Sequence, residues 1–250
     1  MDGMNASIAV LNCSGNVGKT TVSRQLLAPR LPRHKVAMIE SINTDEMHGA
    51  DVEVLLAREA SAIHERMLAG ELLIVDIGAS NVEEYLQWLG QSQGAQEDYG
   101  LFVVPTVPAK KQMQDTIKTI DMLRDLGVNA ARIRLVFNMV AEVPREPMEK
   151  ALRRDFAAIF DYPARENAFL LSVGAAIPES DVFSMSAEVG RTVSDVCADA
   201  TDYRALIAQS SAGAERTRYV KLEGLRRMAL AMSPRLDAAF DALLRDEVAA

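Results

Sequence analysis

Short apolar runs alternate along the chain with longer stretches in which apolar residues recur every three or four positions. The short runs predict β-strands over 8–11, 36–40, 72–78, 100–105 and 133–138, with a shorter sixth strand over 168–171. The run over 72–78 is almost continuously apolar, which is typical of a strand that is covered on both faces in a parallel sheet.

The longer stretches have the periodicity of amphipathic helices. They predict helices over 20–28, 51–69, 82–91, 113–126 and 147–160. From residue 186 onward the pattern is helical throughout, with breaks expected near 210–213 and at Ser233-Pro234, because serine can cap a helix and proline can occupy its first turn.

This alternation predicts an α/β fold, a doubly wound and mostly parallel sheet with helices on both faces. We expect a single domain over residues 1–250, with a core over 7–195 and a helical C-terminal extension over 200–250. Ligands of such sheets bind at the carboxyl ends of the strands, so the residues that follow each strand are the candidates for chemistry.

Composition narrows the class of protein. A hydrophobic content of 49% in 250 residues is enough for a substantial core, and the net charge of −8 argues against a globally basic nucleic-acid binder. No apolar run approaches the ~18 residues of a membrane span, and no basic-then-apolar leader precedes the first strand, so we expect a cytoplasmic protein without a membrane anchor. The cysteines and histidines are too few and too scattered to predict a metal site or a disulfide framework.

The first predicted strand leads into the most informative motif of the chain, Asn12-Cys13-Ser14-Gly15-Asn16-Val17-Gly18-Lys19-Thr20-Thr21. A glycine-containing turn between a strand and a helix directs successive backbone N–H groups toward a phosphate, with the helix N-terminus behind them. Lys19 would reach the terminal phosphates, and the hydroxyl of Thr20 would hold Mg²⁺. The usual pattern has glycine at position 13, where this chain has cysteine.

Acidic residues follow the next two strands. Asp76 ends the third predicted strand and is the candidate second holder of Mg²⁺, because the ion keeps several waters and a carboxylate can bind one of them. Its alternative role is to cap the following turn. Glu40 and Asp45 follow the second strand and are candidates for catalysis, and Asp45 can equally be a solvated loop charge.

The motif resembles the phosphate loop of the deviant Walker ATPases of the ParA/MinD superfamily, which typically reads Lys-Gly-Gly-Val-Gly-Lys-Thr-Thr. Ser14 stands in place of the signature lysine, and Asn16 in place of a glycine. Among these proteins, Ser-Gly-Asn-Val-Gly-Lys is most similar to the StbB-type plasmid stabilisation proteins. The resemblance implies ATP or ADP with Mg²⁺, a homodimer, a companion plasmid-encoded DNA-binding protein, and a role in plasmid stability, partition, positioning or conjugative transfer.

The resemblance also implies roles for single residues. Lys19 and Asp76 would act in catalysis. The family commonly has an aspartate that positions the attacking water where this chain has Ile42, so Glu40 or Asp45 would have to substitute for it.

Two further implications concern the binding of the nucleotide and the rate of its hydrolysis. The stretch from Ser14 to Thr21 would contact the phosphates, and Asn138 would bind the adenine edge, although asparagine also ends strands for reasons of turn geometry. Ser14 carries no charge, so hydrolysis should be slow or depend on another cation, such as Lys110, Lys111 or an arginine of a partner.

The tail contains one dense basic stretch, Arg216, Arg218, Lys221, Arg226 and Arg227. It can contact DNA phosphates non-specifically, or it can be a solvated helix face. Two other functions stay open: a metabolic ligase of the dethiobiotin-synthetase type, and a scaffold that holds nucleotide without hydrolysing it.

Overall fold

Seven strands form one parallel sheet in the part of the chain that the computed structural model describes, residues 5–40, 52–55, 60–162 and 168–245. Asp45 lies outside this part. The strands are β1 (Ser7–Leu11), β2 (Lys35–Ile39), β3 (Val52–Leu55), β4 (Leu73–Ile77), β5 (Tyr99–Thr106), β6 (Ile133–Val140) and β7 (Ala176–Pro178). Their order across the sheet is β3-β2-β4-β1-β5-β6-β7, and each neighbouring pair is parallel, which confirms the predicted sheet.

The central strand β1 determines where the phosphate-loop motif lies. All five of its residues are buried, and Val10 pairs with Asp76 on one side and with Val103 on the other. The residues that follow β1 therefore leave the sheet between the carboxyl ends of β4 and β5.

Helices connect the strands. The first, α1, begins as Lys19–Thr21, continues as a π-helical segment Val22–Leu27 and ends as a 3-10 turn Ala28–Arg30. The others are α2 (Ala60–Leu68), α3 (Val82–Gln91), α4 (Lys110–Asp125), α5 (Met148–Asp155), α6 (Ala157–Phe160), α7 (Val182–Glu188), α8 (Val193–Ala198), α9 (Tyr203–Gln209) and α10 (Ala214–Leu244). The β1-to-β2 and β4-to-β5 connections run in opposite directions across the sheet, so right-handed crossovers put α1 and α3 on opposite faces.

The prediction of one helix over 51–69 is wrong in its first half. Val52–Leu55 is strand β3, paired with β2, and the helix spans only Ala60–Leu68. Four residues are too few to separate a helical from an alternating pattern, and the two valines in this segment favour a strand.

The predicted strand over 168–171 is reduced to a single bridge between Leu170 and Arg134. The sheet instead gains its edge strand at Ala176–Pro178, which pairs with the later part of β6. An apolar run shows that a segment is buried, but it does not show which segment β6 will take as its partner.

The break predicted at Ser233-Pro234 is absent, because α10 continues through Pro234. Proline removes the hydrogen bond that would reach the carbonyl of Leu230. Leu230 is 52% exposed, so the turn that lacks this hydrogen bond is open to solvent.

By its contacts the chain divides into two compact units. The first contains the described residues of Met1–Glu179 and Ala238–Ala250, including the whole sheet, and the second is Ser180–Asp237. The expectation of one domain over 1–250 stays a prediction. Among the described residues, no helix has both the length and the apolar content that crossing a membrane requires.

Candidate functional site

The loop between β1 and α1 has two residues in the left-handed region of backbone conformation. The φ angle is 57° at Asn16 and 81° at Gly18. A Cβ atom at position 18 would lie 1.9 Å from Nδ2 of Asn138. The loop therefore needs glycine here both for its conformation and for the close approach of a side chain from β6.

Asn12, the first residue after β1, fastens the start of the loop. Its buried Nδ2 donates to the carbonyl of Pro105 and to Oγ1 of Thr116, both at 2.8 Å. Its Oδ1 accepts from the N–H of Ser14 at 2.8 Å. These bonds join the loop to β5 and α4.

Cys13, where the usual motif has glycine, is accommodated by α4. Its N–H donates to Oγ1 of Thr119 at 3.0 Å, and its Sγ lies 3.8 Å from Sδ of Met122. Burial raises the pKa of the thiol above its ordinary value, so the side chain is uncharged at neutral pH. The departure from the motif therefore adds a packing contact with α4 and no charge.

Asn138, near the carboxyl end of β6, holds the second half of the loop. Its Nδ2 donates to the carbonyl of Val17 at 3.0 Å, and its Oδ1 accepts from the N–H of Met139 at 3.0 Å. The residue is 3% exposed. The amide thus has main-chain partners on both sides, and its binding of an adenine edge stays a prediction.

Lys19 lies over the loop. Its Nζ donates to the carbonyl of Ser14 at 2.8 Å and to that of Asn12 at 3.3 Å. Burial lowers the pKa of this ammonium, while the negative charges of Asp76 and Glu40 act in the opposite direction. Lys19 is therefore close enough to both carboxylates to interact with them electrostatically.

Asp76 is 2% exposed and faces the first turns of α1. Ser23 Oγ donates to its Oδ2 at 2.8 Å. Burial raises the pKa of the carboxyl, and hydrogen bonds from Ser23 and Thr20 together with the charge of Lys19 oppose that shift. In the next turn, the N–H of Gly78 donates to the carbonyl of Ile39.

Thr20 and Asp76 offer a hydroxyl and a carboxylate oxygen, which are ligands of the type that Mg²⁺ takes in proteins. Within the described ranges, no group of three or more His, Cys, Asp or Glu side chains is arranged to hold a metal ion. Thr20 and Asp76 together fit an ion that takes its remaining ligands from water and phosphate oxygens.

Glu40 reaches the same edge of the sheet from β2. A Cβ atom at Gly78 would lie 2.5 Å from Oε2 of Glu40, so the carboxylate rests directly against the backbone that follows Asp76. Its charge acts on the pKa of both Lys19 and Asp76. The other predicted catalytic acid, Asp45, is outside the described residues.

Sequence reasoning missed the residues that support the loop, namely Asn12 as an anchor, Ser23, Thr116 and Thr119. Two signals were available. Thr116 and Thr119 are polar residues three positions apart on the buried face of an amphipathic helix, and Ser23 lies one helical turn after Lys19. A buried polar side chain needs a hydrogen-bond partner, so such positions mark contacts with another element.

The basic stretch of the tail lies on α10, and its cations differ in their surroundings. Arg226 donates to the carbonyl of Thr201 at 2.7 Å, and Arg227 pairs with Glu223 at 2.9 Å. Two of the five predicted DNA-contacting cations are thus engaged within the second unit.

No model of a known protein family matches the sequence, and no curated protein matches it. Solved structures do match. An ATP complex of a Cyanothece McdA variant is similar over 92% of this chain and 98% of its own, at 14% identity and a TM-score of 0.50. A ParA family ATPase from Chlorobium tepidum TLS is similar over 90% of this chain and 99% of its own, at 12% identity and a TM-score of 0.53. A chain of the Aquifex aeolicus MinC:MinD complex is similar over 84% of this chain and 98% of its own, at 13% identity and a TM-score of 0.51.

The chain has the fold of the ParA and MinD ATPases. The match runs over nearly the full length of the solved chains, so it includes helices beyond the sheet. Within the ParA/MinD fold, the phosphate-loop motif follows the central strand of the sheet, with Asp76 on the neighbouring strand β4.

Proposed function

We propose that this protein is an ATP-binding, Mg²⁺-dependent switch of the ParA type, whose hydrolysis of ATP is slow or requires a partner. The observation that carries the proposal is the grouping of Lys19, Asp76 and Thr20 around the loop at the carboxyl end of the central strand. Nucleotide phosphates bind in this position of doubly wound sheets, where main-chain N–H groups and a helix N-terminus converge.

The chain's own residues would act as follows. The N–H groups from Gly15 to Thr20 would bind phosphate oxygens, and the Nζ of Lys19 would exchange the carbonyls of Ser14 and Asn12 for the terminal phosphates. Thr20 and Asp76 would hold Mg²⁺, which when bound neutralises phosphate charge.

Slow hydrolysis is the expectation because position 14 supplies no cation. Ser14 is neutral and 4% exposed, so it cannot stabilise the charge that accumulates on a transferring phosphate. Glu40 is the described carboxylate that could orient the attacking water, with Asp45 as the other candidate. The missing cation at position 14 also favours the second function, a scaffold that holds ATP without hydrolysing it.

The biological part of the proposal rests on resemblance. The StbB-like sequence of the loop and the ParA/MinD fold support a nucleotide-dependent homodimer in the cytoplasm. Its partner would be a plasmid-encoded DNA-binding protein. The pair would act in plasmid stability, partition or positioning, or in conjugative transfer. A direct contact with DNA would rest on Arg216, Arg218 and Lys221, because the other two cations of the basic stretch have partners within the chain.

Calorimetry with ATP and Mg²⁺, followed by single-turnover hydrolysis, tests this function. We expect ATP to bind, Lys19→Ala to weaken binding by about a hundredfold, and ADP to form slowly unless a DNA-bound partner is added. Tightly held ATP that is never converted, with or without DNA, would favour the scaffold. An absence of binding heat in the wild-type protein would refute both functions.

A further inference from the structure

A cleft of about 650 Å³ opens among the helices of the second unit. Its volume lies in the range of pockets that bind small molecules. Val189, Ala214 and Leu222 give the lining an apolar part, and Thr201 and Thr217 add hydroxyl groups. The lining lies entirely within Ser180–Asp237.

The carboxylate in the cleft, Asp199, is fully engaged. It accepts from Nη1 of Arg191 at 2.7 Å, from the hydroxyl of Tyr203 at 2.6 Å and from the N–H of Thr201 at 2.9 Å. A hydrogen bond from the side chain of Thr201, together with these three donors, holds the pKa of the carboxyl well below its usual range. Asp199 thus stays charged and organises the floor of the cleft, and it has little capacity left to bind a cationic ligand.

Two cations on α10 have no such partner. Arg218 and Lys221 line the cleft from adjacent turns, and neither makes an ion pair or a side-chain hydrogen bond with the described residues. Together with Arg191, they give the lining three cations against one carboxylate, a net charge of +2.

We propose that this cleft binds a small organic phosphomonoester. Such a group carries a charge of about −1.5 to −2 at neutral pH and has three acceptor oxygens, which matches the net charge and the donors of Arg218 and Lys221. The apolar side chains would contact the organic part of the ligand. A carboxylate or a phosphodiester carries one negative charge and would leave one cation unpaired.

The concave shape of the cleft favours a small ligand over a DNA duplex. The basic stretch does not present one continuous row of cations, because Arg226 and Arg227 are engaged while Arg218 and Lys221 line a concave surface. A duplex could contact only the rim of such a surface, whereas a phosphomonoester could enter it.

An NMR titration of the full chain with phenyl phosphate tests the proposal. No nucleotide is added, because the terminal phosphate of ADP could itself enter the cleft. The signals followed are the amides of Ala214 and Thr217, which lie in the second unit and outside the proposed nucleotide site, so failure of that site would not affect the result. We expect these signals to shift with phenyl phosphate and to respond at least about tenfold more weakly to phenyl sulfate, which has the same shape and one charge.

Variants locate the interaction. Arg218→Gln and Lys221→Gln should each weaken phenyl phosphate binding about tenfold. The matched control is Arg216→Gln, an exposed cation of the same helix that does not line the cleft and should leave affinity unchanged. Thermal unfolding followed by circular dichroism should be the same for all three, because each residue is exposed.

Three results would overturn the proposal: no shift of the cleft signals with phenyl phosphate, equal affinity in the wild type and both cleft variants, or an equal loss in Arg216→Gln, which would indicate diffuse attraction. A fourth would replace it. If duplex DNA shifts these signals and phenyl phosphate does not, this face is a nucleic-acid surface.

Discussion

The side-chain amide of Asn138 donates to the main-chain carbonyl of Val17, 121 positions earlier in the chain. This bond fixes the loop immediately before Gly18, the residue against which the same amide packs. Asn138 can therefore affect nucleotide binding by shaping the loop, whether or not it contacts a base.

Asn138→Ala separates these two roles. Loss of a loop anchor should weaken ATP and GTP by the same factor and lower the free energy of unfolding by about 1–3 kcal/mol, because a buried carbonyl loses its donor. Loss of an adenine contact should weaken ATP alone. Calorimetry with both nucleotides measures the difference. The control is Asn129→Ala, which removes an exposed side-chain cap of the turn before β6.

Gly78→Ala should displace the carboxylate of Glu40. The added methyl would lie 2.5 Å from Oε2, closer than any real contact, so the carboxylate must move. If Glu40 orients water, single-turnover hydrolysis should fall about tenfold while ATP affinity changes little. The control is Gly224→Ala, on α10 with open space around it, which should leave both unchanged. An unaltered rate in Gly78→Ala would remove Glu40 from the mechanism.

Asp76→Asn should separate stability from metal-dependent binding. The buried carboxylate has a raised pKa because burial and the nearby charge of Glu40 disfavour its ionised form. Without nucleotide, the melting temperature of the variant should therefore equal or exceed that of the wild type. The gain in ATP affinity on adding Mg²⁺ should disappear, and its persistence in the variant would show that the ion is held elsewhere.

Because His64 is buried, we expect the protein to lose stability in mild acid. Its Nδ1 pairs with Asp98 at 3.1 Å, its Nε2 lies 3.2 Å from the hydroxyl of Tyr85, and burial lowers its pKa below the ordinary value. The unfolded chain therefore takes up the proton first. The contribution of the neutral ring is fully present above about pH 6.5 and falls as the pH decreases toward the lower folded pKa.

Melting temperatures between about pH 7 and pH 5 check this effect. They should fall for the wild type and fall less for His64→Gln. His34, whose pKa is also lowered by burial, remains in both proteins and contributes the same slope to each. Parallel curves would show that protonation of His64 is not coupled to unfolding.

The parts of the site that are formed by residues adjacent in the sequence could be predicted from the sequence. A strand, a glycine turn and a helix in succession direct backbone N–H groups by local geometry, so the loop and the parallel sheet could be predicted together. Asp76 was found for the same reason, because it lies at the carboxyl end of a strand. β3 was missed because a four-residue strand has no pattern of its own.

The anchors of the loop could not be predicted in the same way. The bond from the N–H of Cys13 to Thr119 spans 106 positions, and no local pattern identifies its two ends as partners. The strand-end position of Asn138 was visible in the sequence, but its contact with Val17 depends on how closely β6 approaches the loop.

The central position of β1 has a consequence for how this protein is made. Its loop is completed by β5, α4 and β6, through bonds that span 93 to 121 residues. During synthesis the motif leaves the ribosome before β5, α4 and β6 do, so its conformation cannot be fixed until residue 138 has emerged. A fragment ending before β5 would contain every residue of the motif, but it should lack affinity for nucleotide.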